Sequence, residues 1–371
     1  MKQLLISVFF LVVFIFFRIP FAHAQDQKQD YSTGVVTAIV EETQVRQPES
    51  VGYTQNLTVK EDGTGVTRSV QVGSSELPVS ALQRYRVGQK VVMVAQVDVT
   101  GHQQYTIVDQ YRIPMMIWLV IGFFAVVILV SQFKGFTSLL GMFLSMLVLL
   151  FYMVPQIAGG ANPVLISIIA SGVISAIIIY FGHGFSYRSH IALFCMLATL
   201  AFVGFLSHFV IQLAYLQGTG DEAASYLQFS GLKSINLQGL FLGGIILAAL
   251  SVLDDSVISQ VSVIYQLKDV KHDISFRELF LRGMEVGKDH ISTLVNTLIL
   301  AYAGASLPLF ILFTVNTGSP AWVSLNDQLI VEEVVRTLTG SIGLVLSIPL
   351  TTVVAAYAVD KFHKKSKKLH T

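Results

Sequence analysis

The chain is poor in charge. Lys and Arg together number 24 and Asp and Glu 23 in 371 residues, or 13%. A soluble domain carries about 25%. The two signs nearly cancel, leaving a net charge of +1, so there is no basic field of the kind nucleic acid requires. Cysteine is almost absent. Cys195 is the only one, which excludes an intrachain disulfide and a Cys-based metal cluster. It lies in an apolar stretch and reads as a small packing residue. Gly159-Gly-Ala-Asn-Pro163 lacks the Lys-Ser/Thr of a phosphate loop and reads as a turn. No cofactor is expected.

What is present is apolar sequence, 53% of the chain. Lys2, the run from Leu4 to Phe17, Pro20 and Ala22-His23-Ala24 form the pattern of an export signal over residues 1–24. Residues 25–112 differ in kind, with ten acids and eight bases. They hold alternating runs at 34–40, 55–59, 67–72, 90–99 and 105–108, separated by turn residues such as Glu61-Asp-Gly-Thr-Gly65. This predicts a small extracytoplasmic β domain, with an OB-like barrel as its candidate form.

From residue 113 to 359 the pattern is that of an all-α polytopic membrane bundle. Seven spans are expected, near 115–133, 136–154, 163–181, 190–216, 240–265, 290–315 and 334–358. Pro308 and Pro349 fall inside spans, where they predict kinks. With residues 25–112 outside, four connections face the cytoplasm. They carry Lys134; Arg188; Lys268, Lys271, Arg277, Arg282 and Lys288; and, in the tail over 360–371, Lys361, Lys364, Lys365, Lys367 and Lys368. The outer connections carry Lys233, with Arg336 just inside the last span. This asymmetry predicts the N-terminal domain outside and the C-terminus in the cytoplasm of a bacterial cell membrane. The lipid bilayer is the first partner, and the basic tail suits an anionic leaflet. Nucleic acid is not expected as a partner.

The span at 240–265 carries two acids, Asp254 and Asp255. An Asp near the bilayer centre costs about 2.5–3.5 kcal/mol and marks a functional site by default. On a helical wheel Gly244, Ala248, Ser251, Asp255, Ser259, Ser262 and Gln266 share one face, with Asp254 at its edge. The next span repeats the arrangement with Glu285, Asp289, Thr293 and Asn296. The two stripes are expected to face one another or a shared wet cavity. Ser275-Phe-Arg-Glu278 predicts a helix start between them, in an amphipathic cytoplasmic helix.

Two carboxylates this close do not both ionise cheaply. That suits proton or ion coupling. Asp255 is the candidate titrating group, with Ser251, Ser259, Ser262, Thr293 and Asn296 as relay or coordination groups and Asp254 and Asp289 in support. Gly218-Thr-Gly-Asp221 matches a string of intramembrane aspartyl proteases but lies in a loop without a Tyr-Asp partner, so no enzyme is expected. His183 and His190 flank a short loop and read as loop histidines rather than metal ligands.

The segments together resemble the YibE/F family of bacterial membrane proteins. The likeness rests on Ile157-Ala-Gly-Gly-Ala-Asn-Pro-Val164, Gly182-His-Gly-Phe-Ser-Tyr-Arg-Ser-His190, Leu253-Asp-Asp-Ser-Val-Ile-Ser-Gln-Val-Ser262 and the stretch from Leu279 to Ala305. The resemblance implies an order of parts: export signal, small β domain, multi-span region. It also implies that Asp255, Ser259 and Ser262 are the core positions and that Asp254 is shared with part of the family. It brings no assigned activity. Two readings follow: a proton- or ion-coupled transporter or export-assisting permease for an unknown small substrate or ion, and a non-transporting scaffold or sensor whose β domain binds an extracytoplasmic partner. A homo-oligomer is compatible with either.

Overall fold

The computed structural model describes residues 30–46, 51–74, 76–97, 103–229, 235–315 and 320–369. The expected export signal at 1–24 lies outside them. The chain divides into two compact units, His23–Leu129 and a second holding Val130–Thr371.

The first unit is an antiparallel sheet. Its strands are β1 (Asp30–Arg46), β2 (Val51–Glu61), β3 (Thr67–Val72), β4 (Val79–Ser80), β5 (Lys90–Val97) and β6 (Gln103–Gln110). The order is β3-β2-β1-β5-β6, with β4 also on β2. β1 has 17 residues and pairs with β5 through its first six and with β2 along most of its length. Register shifts at Val36/Ala38 and Ile39/Glu41 bend it between the two ladders. The result is a half-barrel, with β3 and β6 at the ends of the hydrogen-bonded path among the described residues. Period-two alternation turns Val36, Leu57, Val59, Val70, Val91 and Met93 inward as its core. Gln55 is buried with them and holds the segment after β4. Its amide donates to the Tyr85 carbonyl at 3.1 Å and its carbonyl accepts from the Tyr85 N–H at 2.9 Å.

The second unit is helical, and the first of its helices begins in the other. α1 (Ile113–Val148) runs through a five-residue π turn, Leu149–Met153, into α2 (Val154–Ala158). The π turn falls just before Pro155, which lacks the N–H of an ordinary helical bond. The remaining helices are α3 (Pro163–His183), α4 (Tyr187–Leu213), α5 (Glu222–Phe229), α6 (Leu237–Val270), α7 (Phe276–Ala305), α8 (Leu307–Val315), α9 (Ala321–Leu325) and α10 (Gln328–Leu369).

Side chains set the starts. The Asn162 carbonyl accepts from the Val164 N–H at 3.0 Å, with Pro163 opening α3. Asn236 caps α6 through the Gly239 N–H at 2.9 Å, and Ser275 caps α7 through the Glu278 N–H at 3.2 Å. The cap read from Ser275-Phe-Arg-Glu278 is therefore present. The amphipathic segment it opens is continuous with the following apolar one in α7, so the two expected pieces are one helix.

Among the described residues, five segments are long and apolar enough to cross a membrane: Ile113–Ala158, Pro163–His183, Tyr187–Leu213, Leu237–Val270 and Gln328–Lys361. The first has 46 residues and contains both spans expected at 115–133 and 136–154. It breaks at Gln132, where φ is 52° and ψ −132°, among the polar residues that separate the two apolar runs. The expected span at 290–315 is divided between α7 and α8. Pro308 is the second residue of a new helix rather than a kink in an old one.

Helices α3, α4, α6, α7 and α10 pack together. Gly239 of α6 lies against Val164 and Gly243 against Ser167, so α3 and α6 run in the same direction. Gly244 lies beside Arg336, and Gln260 bonds Thr352, which makes α10 parallel to α6 as well. α7 returns antiparallel, with Gly283 against Ile264 and Gly287 against Gln260 and Ile348. Glycine at these crossings brings helices together closely, as membrane packing favours.

Candidate ion-coupling site

The two acids lie in the second half of α6. One turn of an α-helix takes 3.6 residues, so neighbours point about 100° apart. Asp254 shares its face with Gly243, Leu247, Leu250, Ile258 and Val261. Gly243 meets Ser167 of α3, while Ile258 and Val261 line a crevice with Ile179 and His183 further along the same helix. Asp254 thus sits between two points of contact with α3. Its Oδ1 is buried and has no hydrogen-bond partner. Asp255 is exposed.

The crevice, about 200 Å³, opens where α6 passes the turn between α3 and α4. Ile179, His183, Ser186, Arg188, Ser189, Ala192, Ile258, Val261 and Ser262 line it. His183 is within electrostatic range of both Asp255 and Lys134. Arg188 at the rim is already engaged. It donates to Asp269 at 3.2 Å and lies over the Tyr265 ring, 4.4 Å from its centroid. Tyr180 bonds Nδ1 of His190 at 2.8 Å and stacks on Phe185 at 4.2 Å, so His190, in the first turn of α4, is tied to the end of α3.

The other predicted residues divide between this crevice and open surface. Ser262 lines the crevice, and its hydroxyl donates back to the Ile258 carbonyl at 2.9 Å. Ser259 is half-buried, and Ser251 is exposed, donating to the Ala248 carbonyl at 2.8 Å. On α7, Asp289, Thr293 and Asn296 are all exposed, with the Thr293 hydroxyl on the Asp289 carbonyl at 3.2 Å.

The two stripes do not face one another, which corrects the arrangement expected above. α6 meets α7 through Gln260 and Ile264, on the side away from Asp255. α7 meets α6 through Gly283 and Gly287, on the side away from Asp289. The reason is steric. The glycine face of α7 approaches most closely, and Gln260 spans the gap by donating to the Gly283 carbonyl at 2.8 Å and the Thr352 hydroxyl at 2.7 Å.

The profile of the YibE/F-like protein family matches residues 119–361. The chain belongs to the YibE/F-like family. No curated protein and no solved structure matches it. In this YibE/F-like protein the matched region holds both acids, the crevice and all of α3 to α7.

Three groups in this region were not singled out from the sequence. Ser167, Ser171 and Ser175 form a fully buried row on α3. Their four-residue spacing within an apolar helix was a visible signal. Ser175 donates to the Ser171 carbonyl at 2.7 Å, while the hydroxyls of Ser167 and Ser171 have no partner. Glu332 is 4% exposed and accepts from the Gly218 N–H at 3.0 Å, the Gly220 N–H at 3.3 Å and the Gln328 amide at 2.7 Å. It anchors the Gly218-Thr-Gly-Asp221 loop to α10, and Asp221 itself accepts from the Ala223 N–H at 2.9 Å. Lys268, counted above among connection charges, is 5% exposed; its ammonium donates to the Ile274 carbonyl at 3.1 Å and lies 3.9 Å from Asp360.

Proposed function

We propose that this YibE/F-like protein is a proton- or ion-coupled transporter or export-assisting permease of the bacterial cell membrane. The acids of α6 are its coupling groups. The observation that carries this reading is the buried, partnerless Oδ1 of Asp254 inside a 34-residue apolar helix. A carboxyl without a partner in a membrane span is costly to keep. It is explained if the group binds and releases something. Asp255, one residue on, turns to the side from which the crevice and His183 are reached.

In this reading the half-barrel lies outside and collects or gates a small substrate, and the C-terminus is cytoplasmic, as the Lys and Arg asymmetry favours. No enzymatic step is proposed.

A second reading has support in the outward stripes. Asp255, Ser251, Asp289, Thr293 and Asn296 are exposed, which suits contact with a partner or a second copy in a scaffold or sensor. Reconstitution separates the two. Protein in vesicles loaded with a pH-sensitive dye is given a pH or Na⁺ gradient, and the wild type is compared with Asp254→Asn, Asp255→Asn and the double variant. Transport predicts gradient dissipation that the double variant abolishes. Equal dissipation by wild type and double variant removes the acids from the mechanism and leaves the scaffold.

A further inference from the structure

Most intramembrane hydroxyls of this chain are satisfied locally. Ser145, Ser175, Thr199, Ser256, Ser262 and Thr339 each donate to the carbonyl four residues back. Ser167 and Ser171 do not, although they are 0% and 1% exposed; Ser207 of α4 and Thr351 of α10 are also buried and unpartnered, but each is single on its helix, whereas these two adjoin. Both belong to the row on α3, and Ser167 packs directly on Gly243 of α6. Asp254, with its own partnerless oxygen, belongs to the face of α6 that continues from Gly243. Since α3 and α6 run parallel in the register of Val164 with Gly239 and Ser167 with Gly243, Asp254 lies about one turn beyond the level of Ser175.

Three orphaned buried polar atoms on one helix–helix seam are an unusual density for a packed interior. Serines four residues apart rise about 6 Å along a helix. Two hydrogen bonds through one water cover about the same distance. Buried polar groups lacking protein partners are where internal water sits.

We propose that the α3–α6 seam is a hydrated relay that leads along Ser167, Ser171 and Ser175 to Asp254 and continues to the crevice at His183. The coupling ion is a proton or a small hydrated monovalent cation. Asp254, on the seam, exchanges with it, and the exposed polar groups of Ser251 on α6 and Asn296 on α7 are not the path. The charged or titratable groups around the route are Asp255 on α6, His183 on α3, Lys134 before it and Arg188 on α4. This inference rests on the transport reading above and names its route.

The test has two arms on the full-length protein in lipid. In a Cys195→Ala background, Ser171→Cys is treated with a small cationic methanethiosulfonate, alongside Met196→Cys, which replaces a fully buried apolar side chain of α4. A hydrated seam makes Ser171→Cys react while Met196→Cys does not. Reactivity no greater than that of Met196→Cys overturns the proposal. In the flux assay, Ser171→Ala is expected to slow gradient dissipation several-fold, with Asn296→Ala and Ser251→Ala unchanged. The reverse pattern overturns it too. A dry seam would show as a higher melting temperature for Ser171→Ala, because an unpaired buried hydroxyl is removed. The labelling arm reads hydration even where wild type moves no ion, so failure of the transport reading and failure of the seam are told apart.

Discussion

Gln260 of α6 donates to the hydroxyl of Thr352 on α10 at 2.7 Å, across 92 residues of sequence. The same amide donates to the Gly283 carbonyl of α7 at 2.8 Å. One buried side chain, 2% exposed, thereby joins three helices. Thr352 passes its own hydrogen to the Ile348 carbonyl at 2.6 Å, so it is both acceptor and donor. Gln260→Leu keeps the volume but deletes both bonds. Intramembrane hydrogen bonds contribute about 0.6–2 kcal/mol each, so a loss of about 1–3 kcal/mol is expected. Thermal unfolding in detergent checks it, and an unchanged midpoint would show that packing alone holds the junction.

Gly287 is the second element of that junction. A Cβ there would run into Ile348 and would lie 3.3 Å from the Gln260 amide atoms. Ile348 is fully buried and cannot swing away. Gly287→Leu is expected to lift α7 from α6 and α10 and to destabilise by about 1–3 kcal/mol or more. Gly304, whose added Cβ would meet nothing, is the control, and Gly304→Ala should melt like wild type.

Glu332→Ala should free the Gly218–Asp221 loop. Three donors lose a buried carboxylate acceptor, and hydrogen bonds to charged groups contribute about 1.5–3 kcal/mol each. The expected cost is about 2–4 kcal/mol, with Glu332→Gln intermediate because its carbonyl still accepts. Faster amide exchange at Gly218 and Gly220 in Glu332→Ala is the specific readout. Slow exchange there would show that the loop is held by other contacts.

The half-barrel carries its own pH dependence. Asp62 accepts from the Lys90 ammonium at 2.7 Å and from the Thr33 hydroxyl at 2.8 Å, which together hold its carboxyl below its ordinary range. The same bond to Asp62 holds the Lys90 ammonium above its own. A depressed acid contributes stability above its unfolded value, about 3.9, and loses it as pH falls through the folded value. A raised base contributes below its unfolded value, about 10.4, and loses the contribution as pH rises through the folded one. The clasp therefore acts between about pH 4 and pH 10. Both side chains are exposed, so the effect is small and weakens with salt. Amide exchange at Asp62, whose N–H donates to the Thr33 carbonyl at 2.7 Å, should quicken below pH 4 after correction for intrinsic rates. Asp62→Asn should flatten that dependence.

Much of the architecture was legible in residue order. Alternation marked each of the longer strands, because one face of a sheet is buried and side chains alternate across it. The Ser275 cap was readable because a cap is a local matter between a side chain and the next turn. Two apolar runs on either side of Lys134 were legible, although the break itself falls at Gln132, inside the first expected span. The single helix Phe276–Ala305 was not, since nothing local separates an amphipathic turn from the apolar one that continues it.

The acid pair marks the limit. Composition and periodicity alone specify a membrane protein with a polar β unit, and they place two carboxyls inside an apolar helix. They also sort the residues of that helix into faces. Which face meets a neighbour was decided only by packing. Glycines at 243, 283 and 287 lie where the close approaches occur, and the approach at Gly243 sets the face of α6 that carries Asp254 against α3 while Asp255 is exposed. A helical wheel holds the angles between side chains but not the direction of the next helix, because that direction depends on shape complementarity between residues far apart in the chain.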